Sequence, residues 1–571
     1  MWGLRWWCLA LLFTAWLRGA PQCAVVFTQA PAGARPGSAT AEGARIVLLG
    51  TDGRLRVLTE GFQSAADPEV SFDGKRLLFA AKKNAQDNWD VYEMEIFGAA
   101  PRQVTRSMGN CRSPMYQSAI FYLDEPRPSH QITFVGDAAG ELEERGAGRR
   151  THLYSVMEDG SGLRRLTFNL SNNSGPVMAW DGRILFAAGT RLFGIHLDGT
   201  DYALAAESRS RIQRMPATTP SGLVVFVEPD RFSWDAGGTL ASVTLRRPLH
   251  SYRRITQPAE GVFHSPSPLP DGSVLVARRP ASSVGSYGIH RLDPATGRME
   301  PVHQDPRWNE MQPRAVAPRA EPDGHSSVVD EQDPTAKLYC LNVYDSELGP
   351  NWVSKGSIKR LRVLEGLPRS APADVEWRRF LGEVDIEDDG SFQLQVPANT
   401  PIQLQVLDKD GLALRSSSWI WSKNKANRGC IGCHEDPERT PENVLAKAIV
   451  KPAIQLTLAP ERRRTVDFRR DVQPIVNNRC ANRACHDGTA APRLDAGGIA
   501  KFVDPGRART SRLVWSILGR NTSRPWDSVP TATVRRMPPS GSASLTADET
   551  RIIIEWIDLG ALRESAAGGR P

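Results

Sequence analysis

The segment Asp159-Gly-Ser-Gly-Leu-Arg-Arg-Leu-Thr167 decides how the first half of the chain is read. Its Asp-Gly pair supplies the positive φ that a tight turn requires, and the residues that follow run as a short strand ending on a hydroxyl. Turns of the same kind feed apolar strands at Phe72-Asp-Gly-Lys-Arg-Leu-Leu-Phe79, Trp180-Asp-Gly-Arg-Ile-Leu-Phe186, Ser221-Gly-Leu-Val-Val-Phe226 and Pro270-Asp-Gly-Ser-Val-Leu-Val276. A second pattern, strand then turn then strand, starts at His152, Arg191 and Tyr287. Neighbouring copies of the first lie about 40 to 50 residues apart, with a double gap between Gly74 and Gly182 that the degenerate stretch from Cys111 to Glu125 can fill. A period of that length predicts propeller blades, about six of them over roughly 300 residues. Two stacked β-sandwiches are the competing arrangement.

These repeats resemble the blades of TolB-type propellers, whose D-G-S-x-x-R-x-L-T signature stands almost intact at Asp159 to Thr167. The fold class expected is multidomain and mainly β: a TolB/WD40-like β-propeller over 25–334, a small β-domain over 335–425, a first haem-binding segment over 426–465 and an α-helical cytochrome c-like domain over 466–571.

Composition sets the frame for this division. A chain of 571 residues exceeds what one hydrophobic core usually supports. Its 40% hydrophobic and 24% charged residues, with 42 prolines and 48 glycines, describe a turn-rich globular protein and exclude a disordered one. The formal net charge of +7 is spread along the chain, which points away from nucleic acid and towards a solvated surface that meets an acidic redox partner. At the N-terminus Arg5 precedes an apolar run from Trp6 to Leu17, followed by small residues near Ala20 and Ala24. That is the pattern of a signal peptide over 1–24, and a run of about 12 residues is short of the roughly 20 that a spanning helix needs. No later segment is apolar for long enough, so a periplasmic or otherwise exported protein with no transmembrane segment after cleavage is expected.

After a polar, Pro-rich passage from Arg314 to Pro334, alternation in Phe392, Leu394 and Val396 marks a strand with one buried face. The chain then reaches Cys430-Ile-Gly-Cys433-His434, the C-x-x-C-H spacing of c-type haem attachment. Two thiols on a turn reach the two vinyl groups of the porphyrin while the adjacent histidine comes under the iron. A second cluster, Cys480-Ala-Asn-Arg-Ala-Cys485-His486, keeps the terminal Cys-His pair but has a wider spacer. Its surroundings read as a small cytochrome c: Val472, Ile475 and Val476 share one helix face, Thr546 and Glu549 can form a capping box, and Ile552, Ile553, Trp556 and Ile557 make the stripe of a closing helix.

Two covalently bound haem c groups are the cofactors expected, with His434 and His486 as iron ligands. Zinc bound by the same cysteines and histidines is the alternative. Met537, the only methionine after Met311, is the candidate distal ligand to the iron of His486. Beyond His434 the chain has only His486 and Met537 of this kind and no tyrosine, so the sixth position of the first haem is open or filled from elsewhere, with His264 and His325 as candidates. Cys111 and Cys340 either pair or leave Cys111 to an additional metal ion.

The order of parts, with Val396-Pro-Ala-Asn-Thr-Pro-Ile-Gln-Leu-Gln-Val-Leu-Asp-Lys-Asp-Gly411 leading to Arg428-Gly-Cys-Ile-Gly-Cys-His434, resembles the hydrazine synthase alpha subunit family, most sharply over 386–443 and 466–561. The resemblance implies haem attachment at Cys430, Cys433 and His434 and at Cys480, Cys485 and His486, and a haem-dependent oxidoreductase in which one haem joins ammonium to a nitric-oxide-derived species. The family's haem-binding tyrosine after the first motif is absent here, where Glu435-Asp436-Pro437-Glu438 stands. The expected function is an exported dihaem c-type cytochrome with a propeller, transferring electrons with a periplasmic redox partner and acting on a small inorganic nitrogen or oxygen species at the first haem. The alternative is envelope interaction or redox sensing through the propeller without catalysis.

Overall fold

The computed structural model describes residues 23–562 apart from 33–41, 99, 124–126, 144–146, 207–211, 230–236, 283–284, 347–352, 372–376, 434–437, 439, 482–484, 487–491, 525–526, 528, 530–532, 540–541 and 543. The signal peptide expected over 1–24 lies almost wholly outside these residues, as does His434. The described chain is mainly β, and its α-helices begin only at Gln473. It forms two compact units, Met1–Tyr116 with Ser208–Glu321 (unit 1) and Gln117–Glu207 with Pro322–Pro571 (unit 2).

Unit 1 contains four four-stranded antiparallel meanders of the kind the repeat predicts. Three follow chain order, starting at Ser64–Val70, Arg214–Thr218 and Val262–Pro268. The fourth joins the two ends of the repeat region, because Trp308–Val316 pairs with Ala24–Pro31 ahead of Arg45–Leu49 and Leu55–Val57. In unit 2, Asn173–Met178, Ile184–Ala188, Arg191–Ile195 and Ala203–Leu204 form another meander. The double gap in the repeat is also strand-rich, with Cys111–Tyr116, Gln131–Leu142, Arg149–Met157 and Arg164–Arg165 lying in it.

The terminal threonine of the signature has a definite task. Leu55–Val57, Arg102–Gln103, Arg164–Arg165 and Arg253–Arg254 are last strands of only two or three residues, and two residues beyond each a buried threonine accepts a backbone N–H of the neighbouring strand. In unit 1, Thr59 accepts from Ile46 N at 3.0 Å, Thr105 from Val91 N at 2.9 Å and Thr256 from Leu240 N at 2.8 Å. In unit 2, Thr167 accepts from Leu153 N at 2.9 Å. Each hydroxyl satisfies a donor that a longer strand would otherwise have to pair. The first strands share a second device, a β-bulge at a positive-φ residue: Asp67, Met215, Ser265 and Gln312 in unit 1 and Gly175 in unit 2. Asp67 is held in that conformation by Arg112, whose Nε donates to its carboxylate at 2.7 Å, by Ser113 N at 2.9 Å, and by Gln312 Oε1, which accepts from Asp67 N at 3.0 Å. Burial alone would raise the Asp67 carboxyl, but the Arg112 charge and these donors outweigh it and hold the group below its ordinary value.

The rest of unit 2 is a β-sandwich followed by helices. One sheet runs Asn427–Cys430, Thr335–Cys340, Phe392–Pro397, Ile454–Gln455, and the other Trp377–Asp385, Arg360–Leu367, Ile402–Leu407, Ala413–Ser416. Between them lies a core that includes Leu338, Cys340, Leu361, Val363, Leu394 and Val396. Phe392, Leu394 and Val396 face inward as their alternation predicts, and the sheet also recruits Asn427–Cys430 and Ile454–Gln455 from beyond residue 425.

A π-helical turn at Phe468–Val472 leads into helix Gln473–Arg479, and helices Arg512–Leu518 and Ala547–Asp558 follow. Val472, Ile475 and Val476 are buried on one face against Ile553, Trp556 and Ile557. The capping box forms as predicted, with Thr546 Oγ1 accepting from Glu549 N at 3.1 Å and Glu549 accepting from Thr546 N at 2.7 Å. Ile554 is buried and Ile552 only partly so, because the inward stripe of this helix is centred on Ile553 and Ile557. The same core takes in Leu364, Phe380 and Leu412 of the sandwich, and an ion pair, Arg362 to Asp558 at 2.7 Å with both side chains 1% exposed, ties the closing helix to the sheet. No helix among the described residues is long and apolar enough to cross a membrane.

Candidate functional site

The first cysteine motif sits at the end of a sheet strand. Asn427–Cys430 pairs in parallel with Thr335–Cys340, in a register that sets Leu338 opposite Arg428 and Cys340 opposite Cys430. The turn that follows is held by backbone alone: Leu341 N donates to Cys430 O, Asn342 N to Ile431 O, both at 3.0 Å, and Cys433 N donates to Asp345 O at 2.9 Å. This tight wrapping explains the two glycines of Arg-Gly-Cys-Ile-Gly-Cys. A Cβ on Gly432 would lie 2.2 Å from the Asp345 carbonyl oxygen, and one on Gly429 would lie 2.5 Å from the Tyr339 hydroxyl. Cys430 and Cys433 are both half-buried against the sandwich core. Burial lowers the proton affinity of Arg415, while the neighbouring Cys433 acts in the opposite direction.

The second motif sits at the end of a helix. Gln473–Arg479 closes with Cys480 N and Ala481 N both donating to Val476 O at 2.8 Å. His486 N donates to Cys480 O at 3.1 Å, which ties the Cys485-His486 pair to the helix end. The Cys480 thiol is pushed up to about 11, first by burial and then by the nearby Cys485. His486 Nδ1 lies 2.7 Å from the Pro492 carbonyl oxygen. A carbonyl can only accept, so Nδ1 carries the proton and the lone pair of the neutral ring is on Nε2. An acceptor behind one ring nitrogen is how metal-bound histidines are oriented. Arg479 pairs with Glu549 at 3.0 Å, which joins this helix end to the capping box of the closing helix.

The remaining sequence candidates are placed as follows. Met537 is half-buried in the loop before the closing helix, and its N–H donates to Ser516 O at 2.8 Å. His264 is buried in unit 1, with Nδ1 hydrogen-bonded to Ser265 Oγ and its ring 5.8 Å edge-on from Tyr287, whereas both cysteine motifs belong to unit 2. His325 lies 3.3 Å from Asp198 and against the His196 ring. Cys111 is buried in unit 1 and Cys340 in unit 2, each as a thiol. Among the described residues no group of three or more His, Cys, Asp or Glu side chains converges as a metal ion requires, so the additional metal considered at Cys111 finds no ligand set there.

Comparison with known proteins bears on the first motif directly. Residues 369–435, which cover most of the sandwich and the whole Cys430-to-His434 string, match the family model described as the hydrazine synthase alpha subunit middle domain. Over these residues the chain is similar to the hydrazine synthase alpha subunit. It is 26% identical to hydrazine synthase subunit alpha of Kuenenia stuttgartiensis, over 96% of this chain and 92% of that protein. The solved structure of Kuenenia stuttgartiensis hydrazine synthase superposes with a TM-score of 0.81 at 24% identity, covering 95% of this chain and 94% of that one. TolB from Acinetobacter baumannii matches with a TM-score of 0.39 at 12% identity, covering 52% and 67% of the two chains.

Two neighbours of the first motif escape a reading of the sequence. Cys340 lies 90 positions before Cys430, yet the ladder sets them side by side, and the Cys340 sulfur is 3.9 Å from the Ile431 carbonyl oxygen. Arg428 lies on the same strand face as Cys430, and its Nη2 donates to the Tyr202 carbonyl. The period-two alternation of Arg428 and Cys430 is visible in the sequence, but the surroundings it leads to are not.

Proposed function

We propose that this chain is an exported dihaem c-type cytochrome in which Cys430, Cys433 and His434 hold one haem and Cys480, Cys485 and His486 the other, with Met537 as the second axial ligand to the His486 iron. The observation that carries the reading is the bond from His486 Nδ1 to Pro492 O. It fixes the ring tautomer and leaves the lone pair on Nε2, the atom an iron would need, in a residue that follows Cys485 directly and is tied by its backbone N–H to Cys480 O. The haems supply one-electron chemistry when bound. The chain's own residues attach, orient and shield them: the Gly429 and Gly432 turn holds Cys430 and Cys433 on the sandwich, and the Arg479–Glu549 pair fixes the helix end that carries Cys480.

The relative matched over nearly the whole length is named for hydrazine synthesis, which supports redox chemistry on a small inorganic nitrogen species. We also propose that electrons are exchanged with a periplasmic partner. We place that chemistry at the first haem, where Glu435-Asp436-Pro437-Glu438 offers no tyrosine. His486 and Met537 would hold the second haem, and a histidine–methionine ligand set would raise its reduction potential and suit it to electron transfer.

The chain made in a host with c-type haem maturation is expected to gain the mass of two haems and to give a c-type pyridine haemochrome. One haem or none overturns the reading. Carbon monoxide is expected to bind the ferrous protein at one haem only, and Met537→Leu to abolish the sulfur-to-iron charge-transfer band of the ferric protein without loss of covalent haem.

A further inference from the structure

The register of the sheet that carries the first motif brings a third cysteine to it. Thr335–Cys340 and Asn427–Cys430 run in parallel and end together, with Cys340 the partner of Cys430. Directly paired residues of a ladder project to one face, and both cysteines meet the core between the two sheets, Cys340 within it and Cys430 packed against it. Neighbouring strands are about 4.7–4.9 Å apart, inside the range of about 4.4–6.8 Å between Cα atoms that a disulfide bridges. The backbone from Cys430 to Cys433 then follows the opposite strand, tied to Leu341, Asn342 and Asp345, so Cys340 is the thiol that the register sets across from Cys430. The two thiols differ in access, because Cys340 is 2% exposed and Cys430 is half-buried. An incoming disulfide therefore meets Cys430 first, and Cys340 is placed to resolve the mixed disulfide that results.

We propose that Cys340 and Cys430 form a cross-strand disulfide in the haem-free chain, and that this bond is reduced before a haem is attached at Cys430. The oxidant is a disulfide of the glutathione or dithiol-oxidase class. The Cys430 thiolate attacks it, forming a mixed disulfide and releasing one thiol. The Cys340 thiolate then attacks the Cys430 sulfur and displaces the second thiol, and the two cysteine protons pass to the two thiols released. A thioether to a porphyrin vinyl group uses the same Cys430 sulfur, so the disulfide and haem attachment at Cys430 exclude each other. Two electrons from a dithiol reductant reopen the site. The disulfide rests on the register alone, and its part as a gate rests on the haem reading of Cys430 and Cys433 proposed above.

The test uses the unsubstituted full chain made in a host without c-type haem maturation. It is equilibrated with reduced and oxidised glutathione, quenched in acid, unfolded, alkylated and mapped by mass spectrometry without reduction. The Cys340 and Cys430 peptides are expected to be joined, with the loss of two hydrogens, and Cys433 to be alkylated. In a buffer poised as in a secretory compartment the joined form is expected to exceed the dithiol about tenfold. Cys340 and Cys430 alkylated under these conditions, or Cys430 joined to Cys433, overturns the disulfide. A partly loaded preparation from a host with haem maturation is mapped in the same way. Chains with haem on Cys430 and Cys433 are expected to have Cys340 alkylated, and chains without that haem to have Cys340 joined to Cys430. Haem held through Cys433 alone beside an intact Cys340–Cys430 link overturns the gate. Absence of haem from both cysteines of the motif, with the link present, refutes the haem reading and the gate with it, while the disulfide stands.

Discussion

Replacing Asp558 by Asn should loosen the closing helix by about 3 kcal/mol. Asp558 Oδ2 accepts from Arg362 Nη1 at 2.7 Å and Oδ1 accepts from Ala508 N at 2.9 Å, with the side chain 1% exposed. Burial works against the charge on Arg362, but Asp558 and Glu383 outweigh it and raise the guanidinium above its ordinary value. Asparagine keeps the shape and the acceptor for Ala508 N. It replaces Oδ2 by an NH2 group that faces the guanidinium donors and leaves a buried cation short of one anion. Removing one partner of a buried pair typically costs about 3–5 kcal/mol, and the lower end applies because Glu383 still accepts from Arg362 Nε at 2.7 Å. The assay is hydrogen exchange of the peptide spanning Ala547–Asp558, read by mass spectrometry. A loss of about 3 kcal/mol in opening free energy speeds exchange by about a hundredfold. The double variant Arg362→Met with Asp558→Leu should restore most of the protection, since no charge is then buried. Exchange within threefold of the unsubstituted chain in Asp558→Asn would refute the reasoning.

Three further outcomes are expected. His152 is fully buried and neutral, with its value lowered to about 4 first by burial, while Arg165 Nη2 lies 2.8 Å from Nε2. Because the unfolded chain takes up that proton near the ordinary 6.5, the stability is present above about 6.5 and is lost as the pH falls through about 4, by about 3 kcal/mol in all; urea midpoints measured across this window should fall, and fall less in His152→Gln. Gly432→Ala places a Cβ 2.2 Å from Asp345 O, so mass mapping should find haem on the Cys480–Cys485 peptide and little on the Cys430–Cys433 peptide, and full loading of both would count against the turn described. Thr167→Val orphans the buried Leu153 N–H and should cost about 1–3 kcal/mol, seen as a lower unfolding midpoint.

What was legible in the sequence was local. The Asp-Gly turns, the alternation of Phe392, Leu394 and Val396, the Thr546–Glu549 box and the spacing of both cysteine motifs all operate within a few residues, where backbone periodicity alone fixes which side chains are neighbours. The threonine at the end of the repeat signature was visible as well, although its partner, an N–H 14 residues away at Leu153, was not.

Tertiary structure decided what each local motif meets. Strands of similar alternation can pair in many combinations, and the choice is made by the packing of whole sheets, which the pattern of any one strand does not encode. That choice put Cys340 beside Cys430, faced Arg428 towards Tyr202, and buried Arg362 against Asp558 at a sequence separation of 196. The sequence by itself therefore determined that two cysteine-histidine motifs follow a repeated β-region. Only the folded chain decided which charges surround the first motif and which carbonyl fixes His486, because those contacts arise where distant or irregular backbone is brought together by the burial of apolar faces.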